Sequence, residues 1–131
     1  SAGQLRAGAH SDYGTLTILM QNSSSNGLEI QNRNGEWLPV TDEAPDLIVN
    51  IGDLMARWTN NRWVSSVHRV VVPTDTYSRQ QRRLSLAYFH QPDWDAEIRC
   101  IPSCLPDKEQ PIYPPIRSGR YLMEKFHSTV L

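Results

Sequence analysis

The sequence predicts a mainly β protein, an antiparallel sandwich or jelly roll, with one helix packed outside it near the C-terminus. Three observations carry this. Short runs of branched and apolar residues recur at near-regular intervals with Gly, Asn and Pro turn signals between them. Asn34-Gly35 lies between two alternating apolar/polar runs, the strongest short-range hairpin signal. Helical spacing is confined to the tail, where Tyr121, Leu122, Lys125 and Phe126 fall on one face behind Ser118, a residue able to cap a helix.

Taken in order, Thr15 to Gln21 is rich in branched and apolar residues and reads as a buried strand. Asn22 to Asn26 is a Ser/Asn loop ending at Gly27. Leu28 to Gln31 and Trp37 to Val40 alternate, and a two-residue turn at Asn34-Gly35, both at positive φ, is expected to join them. Pro39 belongs at a strand end or edge. Thr41 to Pro45 reads as a turn and Leu47 to Ile51 as a strand, apolar except for Asn50. Leu54 to Trp58 reads as a further short strand after the Gly52-Asp53 break, and Asn60-Asn61 as a turn. Trp63 to Val72 is strand-like, Thr74 to Arg82 is a polar loop, and Arg83 to His90 is a strand with two apolar faces, as expected inside a two-sheet sandwich. Glu97 to Ile101 reads as an edge strand, and Asp107 to Pro115 as irregular.

Composition narrows the function classes. A chain of 131 residues is one domain or part of one, and 39% hydrophobic content suffices for a core. A net charge of -1 argues against a nucleic-acid surface, which needs a basic excess. No apolar run has the length of a membrane span, and no signal-peptide layout opens the sequence. Cys100 and Cys104, four apart in a Pro-bounded segment, are too few for a secreted disulfide scaffold, so reduced thiols and a cytoplasmic location are expected.

His10 and Asp12 are the candidate centre. In an extended strand, residues two apart share a face at about 7 Å, so an imidazole and a carboxylate side by side can reach one divalent cation. His68, in Ser66-Val67-His68-Arg69-Val70, is the best candidate for a third ligand. Two His and one carboxylate with open positions opposite is the donor set of non-haem Fe(II) oxygenases. Arg69, adjacent to His68, should face away from the metal. Arg83 and Ser85 alternate onto one strand face and can clamp a carboxylate, the guanidinium as a planar fork and the hydroxyl as a further donor. Asp53 reads as a turn residue, and Trp58 and Trp63 as core aromatics.

In this order and context the residues resemble the C-terminal part of the isopenicillin N synthase-like family of Fe(II)/2-oxoglutarate-dependent oxygenases. The matching stretches are Ala9-His10-Ser11-Asp12-Tyr13-Gly14-Thr15-Leu16-Thr17, Gly27-Leu28-Glu29-Ile30-Gln31, Gly35-Glu36-Trp37, Val49-Asn50-Ile51-Gly52-Asp53, Ser66-Val67-His68-Arg69-Val70 and Arg83-Leu84-Ser85. The resemblance implies a double-stranded β-helix, a distorted jelly roll, with a C-terminal helix. It implies Fe(II) on His10, Asp12 and His68, and the far carboxylate of 2-oxoglutarate on Arg83 and Ser85, with no catalytic side chain beyond the metal ligands. The activity implied is O2-dependent hydroxylation, desaturation or cyclisation of a small organic substrate, with release of succinate and CO2.

Two other readings stand beside it. An oxidase of the isopenicillin N synthase type uses no 2-oxoglutarate, and Arg83 and Ser85 would then hold the substrate. A jelly-roll binding module would use the same three ligands for a structural metal, a site normally closed by a fourth protein ligand. Because Asp12 lies so close to Ser1, residues 1–131 are expected to be the C-terminal part of a catalytic domain, a partial fold without the family's N-terminal region. With apolar faces left uncovered around Thr15 to Met20 and Leu47 to Ile51, the chain is expected either to self-associate through that side or to leave its metal site open and mostly empty.

Overall fold

The computed structural model describes residues 5–21, 27–40, 47–73, 84–107 and 109–129. The loop expected at 22–26, the turn at 41–45 and the polar loop at 74–82 lie outside the described residues. The chain divides into two compact units. The first comprises Ser1–Ser11, Ile18–Val49 and Ser66–Tyr88; the second comprises Asp12–Thr17, Asn50–Ser65 and Phe89–Leu131.

The first unit holds a four-stranded antiparallel sheet of order β1-β6-β3-β4, from β1 (Leu5–His10), β3 (Leu28–Gln31), β4 (Trp37–Pro39) and β6 (His68–Val71). Its register sets His10 opposite His68, and His68 opposite Ile30 on the other side. Between Ala7 and His10, β1 advances three residues while β6 advances two, from Val70 to His68. This irregularity has the effect of a β-bulge, which re-aims the side chain that follows it. Arg69 turns away from His68 as expected: its Nε bonds Glu29 Oε2 at 2.7 Å and its guanidinium lies 4.1 Å from the Trp37 ring centroid. Gly27, at φ +113, passes so close to the Val71 carbonyl that any Cβ there would collide with it.

The β3–β4 hairpin forms where expected, but its turn is larger. Asn32 N–H donates to Glu36 O at 2.9 Å and Gly35 N–H to Asn32 O at 3.0 Å, leaving Arg33-Asn34-Gly35 as the loop. Gly35 takes φ +83, whereas Asn34 is not among the positive-φ residues. The arrangement is a tight turn followed by a left-handed Gly, the usual three-residue hairpin connection. Asn32 Oδ1 accepts the N–H groups of Asn34 and Glu36, which favours this loop over the two-residue one.

A three-stranded sheet of order β5-β2-β7 is built from β2 (Leu16–Gln21), β5 (Leu47–Ile51) and β7 (Ser85–His90). The expectation that β7 is interior on both faces is overturned, since all six of its residues are exposed, with Leu86 at 54% and Phe89 at 56%. Among the described residues β7 lies at the edge of its sheet, and they do not supply the cover that its apolarity suits.

The second unit corrects the reading of Leu54 to Trp58 as a strand. Asp53–Trp58 is a helix, α1, with Gly52 at its N-cap and Leu54 and Ala56 buried. Asp53 sits in its first turn and Arg57 in its last, each favourable to the helix dipole. Asn60 and Asn61 then turn the chain in the left-handed region, at φ 53 and 61, which Asn tolerates. The strand-like run from Trp63 is shorter than expected, since only His68–Val71 pairs, and Trp63 is exposed rather than core. Likewise the strand at Glu97 is two residues long: β8 (Glu97–Ile98) pairs with β9 (Ile116–Arg117). The C-terminal helix α2 spans Ser118–Thr129. Ser118 begins it as a buried first residue, its N–H bonded to Ala96 O at 2.9 Å, rather than standing before it as a cap. The tightest packing is at Leu54, Ile98 and Thr15, each 1% exposed. Cys100 and Cys104 are free thiols. Among the described residues, no helix is long and apolar enough to cross a membrane.

Candidate metal centre

His10 and His68 face each other across β1 and β6, their ring centroids 4.3 Å apart. Nδ1 of His10 lies 2.7 Å from Gly8 O, and Nδ1 of His68 lies 3.1 Å from Ser66 O. A carbonyl only accepts, so in both bonds Nδ1 carries the proton. That leaves Nε2 as the nitrogen on which such a ring binds a metal, its second nitrogen being tied to the backbone. Both tethers reach a residue two positions earlier, so the tautomer is set locally by the strand backbone.

The His-x-Asp spacing puts Asp12 in the strand with His10. In the structure β1 ends at His10, and Asp12 lies in the turn that follows. Within the second unit that turn is held by backbone bonds: Asp53 N–H to Asp12 O at 2.7 Å, Leu54 N–H to Gly14 O at 3.0 Å, and Gly52 N–H to Thr15 O at 2.9 Å. Gly52 lies against the carbonyls of Gly14 and Asp12 where a Cβ would collide, which is why glycine precedes α1. Asp12 is only 7% exposed, and its Oδ2 accepts from Thr17 Oγ1 at 2.6 Å and from Asn50 Nδ2 at 2.7 Å.

One ligand atom from each of His10, Asp12 and His68 lies within 4.8 Å of the other two. Asp12 does not share the strand face with His10 that motivates the pair from sequence. The donor set fits Fe(II): two neutral imidazoles and one carboxylate suit a borderline divalent ion and leave positions for further ligands. Among the described residues no fourth His, Cys, Asp or Glu joins this cluster. Of the carboxylate clamp, Ser85 opens β7 and is exposed, and Arg83 lies outside the described residues.

Sequence reasoning misses Thr17 and Asn50 as partners of the metal-side carboxylate. The one available signal is Asn50, a lone amide in an otherwise apolar run. It also misses the tie between Asp53 and the C-terminal helix. Lys125 Nζ donates to Asp53 Oδ2 at 2.7 Å, and Tyr13 packs edge-on against Phe126 with ring centroids 5.7 Å apart. Burial alone would lower the Lys125 ammonium, but its hydrogen bond to Asp53 and the negative groups around it outweigh this and hold it above its ordinary value. Burial raises the Tyr121 hydroxyl, against the opposing effect of Lys125.

Comparison with known proteins gives the family. The family model of the 2OG-Fe(II) oxygenase superfamily matches residues 2–92. A 2-oxoglutarate-Fe(II) type oxidoreductase, ppzD, of Metarhizium majus is 40% identical over 126 residues, covering 94% of this chain and 36% of the relative. Proline hydroxylase buaE of Petromyces alliaceus is 40% identical over 117 residues, covering 86% of this chain and 36% of the relative. The crystal structure of a full-length Neurospora crassa protein in complex with alpha-KG and thymine superimposes with a TM-score of 0.87 at 38% identity, covering 98% of this chain and 39% of that one. The chain therefore spans a little over a third of the length of these relatives. With the match to the family model running through both histidines, the carboxylate and the Arg83-Leu84-Ser85 stretch, the chain belongs to the 2OG-Fe(II) oxygenase superfamily.

Proposed function

We propose that this chain is the C-terminal part of the catalytic domain of an oxygenase that uses Fe(II), O2 and 2-oxoglutarate to oxidise a C–H bond of a small organic molecule. His10, Asp12 and His68 hold the iron. Arg83 and Ser85 take the far carboxylate of 2-oxoglutarate, as a guanidinium fork and a hydroxyl. The observation that carries the reading is the pair of histidines facing each other across two strands, each tied to the backbone through Nδ1, together with a buried carboxylate. When bound, Fe(II) with 2-oxoglutarate supplies oxidising power by coupling decarboxylation to O2 reduction. The protein's own part is to present three donors and a carboxylate clamp. Hydroxylation is the default outcome, and desaturation or cyclisation follows if the substrate is held differently.

The test is succinate formation from 2-oxoglutarate by the full chain with Fe(II) and O2. Succinate that requires all three, and is lost in His68→Ala, supports the reading. Metal-dependent O2 uptake without succinate would replace it by an oxidase using no 2-oxoglutarate. Absence of O2 uptake would leave a structural metal site.

Two further features belong to this proposal. Exposed Leu47, Val49, Leu86 and Tyr88 support self-association, which sedimentation would show as a weight that rises with concentration and falls in Leu86→Asp. Free Cys100 and Cys104 support a cytoplasmic location, which cell fractionation reads directly.

A further inference from the structure

The carboxylate assigned to the metal is gripped by two side chains that the proposal above does not use. Thr17 Oγ1 and Asn50 Nδ2 both donate to the same oxygen, Oδ2 of Asp12, at 2.6 and 2.7 Å. They come from different strands, β2 and β5, and both point at a residue in the turn after β1. Thr17 is 5% exposed and Asn50 is half-buried in a run otherwise made of Leu, Ile and Val. A polar side chain at such a position is costly without a partner, and here the partner is the metal-side carboxylate. The main chain of the same residue is held as well, by Asp53 N–H at 2.7 Å.

We infer that Thr17 and Asn50 are positioning residues for the metal centre, fixing the Asp12 carboxylate in one orientation for a divalent cation. The inference rests on the reading of Asp12 as a metal ligand. Rotating the carboxylate would break two charge-assisted hydrogen bonds together. Both donors are neutral, and this matters. An Arg or Lys in either place would also orient the carboxylate, but its charge would oppose a cation a few ångströms away. A hydroxyl and an amide supply direction while leaving the negative charge to the metal.

The test is Mn(II) titration of the metal-free full chain, with free Mn(II) read by electron paramagnetic resonance and melting temperatures taken without metal. Thr17→Val and Asn50→Leu keep shape and remove the donor; Thr17→Ser restores it. The expected result is that Thr17→Val and Asn50→Leu each weaken Mn(II) binding about 10–100-fold while Thr17→Ser stays within about twofold of the parent. Deletion variants that melt lower without metal yet bind Mn(II) like the parent, while Asp12→Ala and His10→Ala lose it, would overturn the inference in favour of a purely structural role. Parent-like binding by Asp12→Ala and His10→Ala would instead show that the metal reading itself is wrong. If one deletion variant does not fold, the other decides between the same outcomes.

Discussion

His10 stands directly opposite His68 across β1 and β6, just after a register shift, with the two ring centroids 4.3 Å apart. Each ring is anchored by Nδ1 to a carbonyl two residues back, so the pair is set by backbone and not by neighbouring side chains. The third donor depends on a separate scaffold, the turn that Gly52, Asp53 and Leu54 hold by their N–H groups.

That scaffold has no room at Gly52. A methyl group there meets the carbonyls of Gly14 and Asp12, which cannot retreat without breaking their bonds to α1. Gly52→Ala is expected to destabilise the fold by about 1–3 kcal/mol, the usual range for forced overpacking. Denaturant unfolding checks this, and an unchanged midpoint would show that the turn yields freely.

A second prediction concerns alkaline pH. Lys125 is held above its ordinary 10.5 and Tyr121 above its ordinary 10.0. Both folded-state values exceed the unfolded ones, so the native state keeps protons that the unfolded chain releases. The stabilisation is complete below about pH 10 and is lost as pH rises through the raised values. Stability should therefore fall above pH 10, and less steeply in Tyr121→Phe, which removes one titrating group and part of what raises Lys125. Chemical unfolding at pH 8, 10 and 11 checks this; identical slopes in parent and variant would contradict it.

The third prediction concerns the carboxylate clamp. Arg83→Lys keeps the charge but loses the planar fork, so 2-oxoglutarate should bind more weakly by about 1–3 kcal/mol. Calorimetric titration with Mn(II) in place of iron measures it without turnover. Unchanged affinity would place the cosubstrate carboxylate elsewhere.

How much of this is legible from sequence differs by residue. The candidate ligands are legible because the chemistry restricts them to His and Asp, and because strand patterns around His10 and His68 are strong. The β2 run, the hairpin at Asn34-Gly35 and the terminal helix are legible from periodicity. Leu54 to Trp58 misleads because five mostly apolar residues are too few to separate a helix turn from a strand. The decision there lies in Gly52 and in backbone bonds to a turn some 40 residues earlier. His-x-Asp alternation puts Asp12 on a strand, yet pairing ends at His10. The roles of Thr17 and Asn50 have no local signal, since both depend on strands converging on one carboxylate oxygen. The exposure of β7 is illegible too, because apolar faces report what a strand suits and not what covers it.

The central claim is that His10, Asp12 and His68 together hold the metal. X-ray absorption at the metal edge of the Mn(II)- or Fe(II)-loaded chain tests it most directly, by counting coordinated imidazoles through their outer-atom scattering. The account predicts two imidazoles in the parent and one in His68→Ala or in His10→Ala. A parent spectrum without imidazole scattering, or one unchanged when either histidine is removed, would contradict it.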